Sequence, residues 1–266
     1  MKITMLGTGH GTVTECYNTC FTIENNSEYF LVDSGGGNGI LKQLKDSNIE
    51  IEKLLKIFIS HTHSDHILGV IWIIRVLTRK CMVEGYNMVH YIYGNNEVID
   101  AIRQICKILL PEKHYDYIDK NILLIPVNNN ETINILNREI TFFDTNSFGT
   151  KQYGFYFDIR ENERFTFIGD EYCSENTKKY VKDSKWLFAD AYKTDIEKYE
   201  IGKRYRHSTV KQVAELCEQL NVKNVILSHS TDNNLKMRKE LFVSVAKQYF
   251  KGNVFVPNDL ETINLN

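Results

Sequence analysis

A cluster of metal-binding side chains directly after an apolar segment is the feature that most limits how this chain folds. Residues 54–59 are apolar apart from one lysine, which predicts a mostly buried β-strand. Three imidazoles and a carboxylate follow within six positions, at His61, His63, Asp65 and His66. These side chains suit zinc, manganese or iron, and their alternation directs the first two to one ion and the last two to another. A solvated turn is the weaker alternative, because the whole chain has only eight histidines.

The order of the remaining patterns favours two blocks of strands bracketed by helices. Before the cluster, strands are predicted at residues 2–6, 20–23 and 29–32, and a helix at 38–45. After it come a helix with apolar positions from Ile67 to Leu77, a strand at 88–93 and a helix at 97–109. Antiparallel strands are predicted next, at 123–127, 133–136, 139–143, 153–157 and 165–168. Strands at 186–189 and 224–227 then alternate with helices at 209–220 and 235–250. We therefore expect an α/β chain folded as a four-layer αββα sandwich rather than a doubly wound parallel sheet.

Composition narrows the classes of function. The 266 residues include only three prolines and no Ser/Gly-rich linker, so a single domain over residues 1–266 is expected. A net charge of −2 gives no general reason to expect a stable nucleic-acid partner. The apolar stretches are too short to span a bilayer, and the N-terminus lacks the pattern of a signal peptide. Six scattered cysteines without a C-x-x-C pair predict free thiols and a cytoplasmic protein.

Residues 61–66 resemble the H-x-H-x-D-H motif of the metallo-β-lactamase superfamily. The resemblance continues at Gly169-Asp170 and at His229, each after a predicted strand, and at Asp33 after an early strand. It implies that Asp170 bridges two metal ions, that His229 completes the second site, and that Asp33 supports the cluster without binding metal. The implied cofactor is two divalent ions, with zinc as the first choice and manganese or iron as alternatives.

One position departs from the superfamily pattern. The superfamily usually has a further histidine shortly before a Gly-Tyr or Gly-Phe pair, and residues 142–155 contain none. Asn146 is the best positional match and Ser147 the alternative, but an amide oxygen is a weaker zinc ligand than an imidazole. The first site would then hold His61, His63, Asp170 and a bridging water. Weaker binding, a preference for manganese or iron, and an empty first site all remain open.

Two further segments resemble the ribonuclease Z and small phosphodiesterase branch. Residues 189–192 match its His-Glu-Ala-Thr motif and residues 206–209 its Gly-His-Ser-Thr motif. In that branch the acidic residue orients the histidine, which implies that Asp190 orients His207 as the donor of a proton to the leaving oxygen. Ser208 or Thr209 would also cap the following helix. Purely structural roles for Asp190 and His207 are the alternative, as is a solvated loop for the nearby cations Lys203, Arg204 and Arg206.

The expected function is that of a phosphodiesterase in which a metal-bound hydroxide attacks phosphorus, with Asp65, Asp190 and His207 as the catalytic residues. A small cyclic or linear phosphodiester, or an RNA end, is the expected substrate, and a homodimer is the expected assembly. Ribonuclease Z itself is disfavoured, because its bacterial form inserts a long arm where residues 157–165 predict a short turn. A lactonase or thioesterase, and a binding protein without catalysis, are the alternatives. His10 is predicted to be a bystander near the metals.

Overall fold

The computed structural model describes residues 1–194 and 207–265, which form two seven-stranded sheets. The first sheet is built from β1 (Lys2–Gly7), β2 (Cys20–Asn25), β3 (Glu28–Val32), β4 (Lys56–Phe58), β5 (His90–Gly94), β6 (Ile122–Pro126) and β14 (Thr262–Asn264). Its strands lie in the order β14-β1-β2-β3-β4-β5-β6. The pairs β3–β4, β4–β5 and β5–β6 are parallel, whereas the pairs β14–β1, β1–β2 and β2–β3 are antiparallel.

The second sheet continues the chain with a block of antiparallel strands and then a parallel block. It is built from β7 (Thr132–Ile135), β8 (Arg138–Asp144), β9 (Tyr153–Arg160), β10 (Glu163–Phe167), β11 (Trp186–Asp190), β12 (Asn224–Ser228) and β13 (Asn253–Phe255). Their order is β13-β12-β11-β10-β9-β8-β7. Strands β10 to β13 run parallel to one another, so the carboxyl ends of these four strands lie at the same edge of the sheet.

Aromatic side chains from both sheets form the layer between them. Phe21 of β2 stacks on Phe188 of β11 with ring centroids 4.3 Å apart, and Phe58 of β4 lies 4.9 Å from Phe142 of β8. The alternation of strand side chains points these rings inward and leaves the opposite face of each sheet for helices. This inner core fixes the two sheets against each other.

Helices cover the outer face of each sheet. On the first sheet lie α1 (Gly39–Asp46), α2 (Ser64–Glu84), α3 (Asn96–Leu109) and α4 (Glu112–Tyr115), with a short 3₁₀ helix at Ile51–Lys53. On the second lie α5 (Lys178–Val181), α6 (Val210–Gln219) and α7 (Leu235–Ala246). The result is the four-layer αββα arrangement expected from the sequence, and that prediction is confirmed. Within the described residues, no helix combines the length and the apolar character needed to cross a membrane.

The structure corrects several predicted elements. The segment predicted as the first antiparallel strand of the central run is β6, which pairs parallel with β5 in the first sheet. Hydrophobic periodicity shows which face of a strand is buried but not the direction of the neighbouring strand. It therefore could not distinguish a parallel β6 from an antiparallel one. Strands β13 and β14, with three residues each, and helices α4 and α5, with four each, were not predicted. The last helix ends at Ala246 rather than at residue 250.

Candidate metal centre

The predicted metal-binding residues meet at the carboxyl ends of strands from both sheets. Two residues separate β4 from His61, and helix α2 begins one residue after His63, which places Asp65 and His66 in its first turn. Asp170 follows β10 by three residues, and His229 directly follows β12. The structure therefore brings together side chains that span residues 61 to 229 of the sequence.

Four side chains form one half of the centre, which we call the four-donor half: Asp65, His66, Asp170 and His229. The Oδ2 atom of Asp170 lies 2.7 Å from His66 Nε2 and 3.0 Å from His229 Nε2. Asp65 Oδ2 lies 3.3 Å and 3.4 Å from the same two nitrogens. One donor atom from each side chain thus faces a common point, with all four donor atoms within 4.8 Å of one another.

This half fits a divalent cation by two observations. Tetrahedral zinc ligands at their usual bond lengths lie about 3.3 Å apart, close to the separations found here. In addition, His66 Nε2 is buried and makes no hydrogen bond, although Asp170 Oδ2 is only 2.7 Å away. The two atoms approach each other without the angle of a hydrogen bond, because both point at the same space. Zinc, manganese and iron all accept this set of two imidazoles and two carboxylates.

The other half, which we call the two-histidine half, consists of His61 and His63. His61 Nε2 lies 2.9 Å from His63 Nδ1 and 3.7 Å from Asp170 Oδ2. Asp170 is therefore the side chain that both halves share. The ring of His61 is buried and that of His63 is exposed, so this half lies at the mouth of the cleft.

Asn146 does not complete the two-histidine half, contrary to the prediction from the sequence. It is exposed, and its amide donates to the main-chain oxygen of Asp144, at 3.4 Å. The Ser147 hydroxyl donates to the carbonyl of Thr150. The residue of this loop that does contact the cluster is Thr150, whose Oγ1 lies 3.1 Å from His63 Nε2. A left-handed backbone at Asn146 and two internal hydrogen bonds turn the loop so that its amide faces away.

Asp33 organises both halves from behind, as the resemblance implies. Its Oδ2 atom lies 2.8 Å from His66 Nδ1 and accepts a hydrogen bond from the Ser60 hydroxyl at 2.9 Å. Because the Ser60 proton is committed to Asp33, His61 Nδ1 must donate to Ser60 Oγ, which lies 2.9 Å away. The proton of each ring is therefore held on Nδ1, and Nε2 of both His61 and His66 keeps its lone pair for a cation.

Asp190 links the four-donor half to His207. Its Oδ1 atom lies 3.3 Å from His229 Nδ1, and its Oδ2 atom lies 3.1 Å from His207 Nδ1 and accepts from the Ser208 amide at 2.9 Å. The rings of His207 and His229 stack with centroids 5.0 Å apart. Thr209 caps α6 through a capping box, as predicted. The three cations predicted beside this histidine, Lys203, Arg204 and Arg206, lie outside the described residues.

Strand-end backbone geometry contributes to the centre. Asp33 and His229 both have positive φ, 56° and 58°, which non-glycine residues rarely adopt and which is common at functional sites. Gly169 has φ of 72°, and a Cβ atom there would collide with Gln152 Oε1, which accepts from the Asp170 amide at 2.9 Å. Gln152, Ser60 and Thr150 were missed from the sequence because none of them belongs to a metal-ligand pattern.

The comparisons with known proteins agree with this geometry. Residues 1–250 match the family described as anti-Pycsar protein Apyc1. The chain belongs to this family. Among curated proteins it is similar to a ribonuclease Z of Methanococcus aeolicus, with 33% identity over 140 residues. That alignment covers 52% of this chain and spans 40% of the length of the relative.

Solved structures show the fold of this Apyc1 family member. The metallo-β-lactamase fold protein YhfI from Bacillus subtilis superposes with a TM-score of 0.79 at 17% identity, covering 98% of each chain. The short form of human tRNase Z superposes with a TM-score of 0.73 at 18% identity, covering all of both chains. The resemblance to the metallo-β-lactamase superfamily and to its ribonuclease Z branch is thereby confirmed.

Electrostatics separates the two halves of the centre in this family member. Burial alone would lower the pKa of His66 and His229, but facing carboxylates, Asp170 first, raise the pKa of both well above the ordinary value. Burial would raise the pKa of Asp65 and Asp170, yet these imidazoles hold the pKa of both carboxyl groups far below it. Metal binds the neutral form of imidazole, so a cation in this half would displace the additional proton that the raised pKa values of His66 and His229 favour.

In the two-histidine half the pKa values of the imidazoles shift in the opposite direction. Burial and the charge of His66 lower the pKa of His61 and of His63, which keeps both rings neutral. Neutral imidazole is the form that binds metal, so neither ring has to lose a proton first. At the rim, burial opposes the charge of His207, but Asp190 raises the pKa of its imidazole above the usual value. The centre thus combines carboxylates with low pKa values, two imidazoles whose pKa values are lowered, and the three imidazoles of His66, His229 and His207, whose pKa values are raised.

Proposed function

We propose that this protein is a phosphodiesterase that works with two divalent cations, zinc in the first place, and uses His207 as the proton donor. The observation that carries the proposal is the Asp190–His207 pair beside the four-donor half, with nitrogen and oxygen 3.1 Å apart. A lactonase or thioesterase needs the metal cluster alone. A phosphodiester with a poor leaving group also needs a proton for the departing alkoxide, and an oriented imidazolium supplies it.

The hydrogen bonds and ligand positions already described decide which residues would bind the cations and which would donate the proton. When bound, the cations supply Lewis acidity and lower the pKa of water. Asp65, His66, Asp170 and His229 would hold one ion, and His61, His63 and Asp170 the other. His207 Nδ1 faces Asp190, so the Nε2–H of its imidazolium is the group left to donate to the leaving oxygen. Asp65 is proposed as a ligand and as the catalytic carboxylate of the centre.

The comparisons support phosphodiester chemistry and leave the substrate to be proposed. A ribonuclease Z and a tRNase Z are, by name, enzymes that act on RNA. Strands β9 and β10 of this chain are joined by a turn of two residues, 161 and 162, so no arm extends from this point. We therefore favour a small cyclic or linear phosphodiester, with an RNA end as the alternative.

The proposal is tested by comparing leaving groups on a common phosphoryl unit. The p-nitrophenyl and methyl esters of one nucleotide differ in leaving group alone, and both would be assayed with zinc and with manganese. For the methyl ester, His207→Ala should lower kcat by roughly 10²- to 10⁴-fold, the range of a positioned proton donor. The loss should be much smaller for the p-nitrophenyl ester, because p-nitrophenolate leaves without a proton.

Metal content and the rates for the two esters distinguish the proposed role of His207 from the alternatives. Metal content of His207→Ala should equal that of the wild type; loss of an ion would make His207 a ligand with Asp190 and His229, with which it forms a second possible metal-binding group. An equal loss of rate for both esters would assign His207 to substrate positioning. Hydrolysis of lactones or thioesters, with no activity on any phosphodiester, would replace the proposed function, and absence of bound metal would favour a non-catalytic protein.

We also propose that the protein is a homodimer that works in the cytoplasm. The exposed residues Trp72 and Leu109 line a cavity of about 190 Å³ between α2 and α3, a surface that a second copy would cover. Leu109→Asp should shift the mass measured by light scattering from dimer to monomer, whereas Val83→Asp, at an exposed residue outside that cavity, should not. The six cysteines are all free thiols, as expected in a reducing compartment.

A further inference from the structure

A glycine-rich loop brings His10 to the rim of the metal centre. The His10 amide donates to the carbonyl of Ser230, the residue after the ligand His229, at 3.1 Å. The side-chain amide of Asn18 donates to the His10 carbonyl at 2.8 Å. At Gly11 a Cβ atom would lie 3.2 Å from the carboxyl group of Asp65, so the loop rests directly on that side chain. The backbone at His10 is therefore fixed between ligands of the four-donor half.

The ring of His10 belongs to a group of four rings along the rim. It meets Tyr192 edge to face with centroids 4.8 Å apart, and it lies 6.3 Å from the ring of His229. Tyr192 in turn stacks on His207 at 5.2 Å. Tyr192 thus lies between two rim imidazoles, His207 on one side and His10 on the other. This packing sets the ring plane of His10.

The hydrogen bonds of His10 decide which nitrogen carries its proton. The backbone amide of Thr12 donates to His10 Nδ1 at 3.4 Å, so Nδ1 acts as an acceptor. The proton of a neutral ring that accepts at Nδ1 lies on Nε2. Among residues 1–194 and 207–265, no hydrogen-bond partner is found for this N–H group.

We propose that His10 binds the substrate by donating its Nε2–H to a phosphoryl oxygen, a role separate from that of His207. The inference rests on the proposed phosphodiesterase function and gives His10 a role in place of the expected bystander. A donor that is committed to Nε2 contacts the oxygen without any proton transfer.

Three substitutions separate hydrogen bonding from packing. His10→Phe keeps a ring against Tyr192 but has no donor, His10→Ala removes both, and His10→Gln places an amide N–H near the former Nε2. Zinc-loaded protein would be assayed with bis-p-nitrophenyl phosphate, and the affinity for inorganic phosphate would be measured by calorimetry. His10→Phe and His10→Ala should raise KM and weaken phosphate binding by roughly 10- to 100-fold, the range of a hydrogen bond to a charged group. His10→Gln should recover part of this loss.

The remaining outcomes are equally informative. In all three variants kcat and the zinc content should stay close to wild type, because a contact made equally in the ground and transition states changes KM alone. Wild-type KM and phosphate affinity in His10→Phe would overturn the proposal and leave His10 as a packing residue. Loss of zinc in His10→Phe would also overturn it. A wild-type protein that hydrolyses no phosphodiester would instead overturn the proposed function, and phosphate calorimetry would still report on His10.

Discussion

The two halves of the metal centre differ in how completely the fold has assembled them. The four-donor half has its donors within 4.8 Å of one another, and His66, Asp170 and His229 are buried. The two-histidine half offers two nitrogens 2.9 Å apart and one exposed ring, and it shares Asp170 at a distance of 3.7 Å. A cation gains a full set of protein ligands in the first half and depends on Asp170 and water in the second. We therefore expect the two halves to bind metal with unequal affinity.

The two halves differ because different segments of the chain provide their donor atoms. Helix α2 and the ends of β10 and β12 each direct a donor toward the same point in the four-donor half. The loop between β8 and β9 is the segment that faces the two-histidine half, and it provides the Thr150 hydroxyl instead of an imidazole. That hydroxyl contacts His63 on Nε2, the nitrogen that faces away from His61, so it supports the ring without binding the cation.

The largest effect is expected at Asp170, the side chain that both halves share. Asp170→Asn removes a negative charge that lies 2.7 Å and 3.0 Å from two ligand nitrogens. Zinc affinity should fall by more than roughly 100-fold, because even outer residues of a metal site contribute about 10- to 100-fold. Zinc content after dialysis should drop below one ion per chain. Two retained ions would mean that the halves do not share this ligand.

A smaller and selective loss is expected when one half is disabled. His61→Ala should remove the ion of the two-histidine half and leave one ion per chain, since the donors of the other half are untouched. His66→Ala is the matched variant, and it should weaken the more tightly held ion. Metal stoichiometry by mass spectrometry and affinity by calorimetry would be compared for both. If His61→Ala lost the tighter ion, the assignment of the strong and weak halves would be reversed.

Substitution of the residues that hydrogen-bond to the metal ligands should also affect the two halves differently, with smaller losses of metal affinity. Asp33 contacts His66 directly, whereas Ser60 connects it to His61. Asp33→Asn should weaken metal binding at the four-donor half by about 10- to 100-fold, the range for such supporting residues. Ser60→Ala should leave this half unchanged and affect the two-histidine half. Thermal unfolding of both variants controls for loss of fold, and equal effects of the two variants on the tighter ion would contradict the division.

The fold and most of the centre were predictable because their signals are local or carry a motif. The 61–66 cluster, the residue pair Gly169-Asp170 and the strand-end His229 each follow a buried apolar strand, and the structure brings them together as the resemblance implies. The four layers follow from helices that bracket two blocks of strands. The direction of β6 was not predictable in this way, because burial patterns are the same in parallel and antiparallel strands.

The residues that hold the metal-binding side chains in place could not be derived from sequence patterns. Asn146 matched the vacant position by spacing, but its side-chain direction depends on the left-handed turn that it forms. Gln152, Ser60 and Thr150 act through single hydrogen bonds made by strand-end geometry, which no residue spacing records. His10 was expected to be a bystander because the sequence shows no partner for it, and its neighbours in space, Tyr192 and His229, lie far along the chain.

The smallest effect tests whether the loop between β8 and β9 still serves the two-histidine half. Thr150→Val keeps the shape of the side chain but removes the hydroxyl that lies 3.1 Å from His63 Nε2. Without that partner the exposed ring of His63 loses its preference for a proton on Nε2, so its Nδ1 lone pair is less available to a cation. Metal affinity at this half should fall by up to about 10-fold, the low end for a supporting residue, while the affinity for the tighter ion stays unchanged.

Two control variants check this assignment. Thr150→Ser keeps the hydroxyl and should resemble wild type. Asn146→Ala should do the same, since its amide donates to the Asp144 carbonyl. A stronger effect from Asn146→Ala than from Thr150→Val would restore Asn146 as the ligand predicted from the sequence.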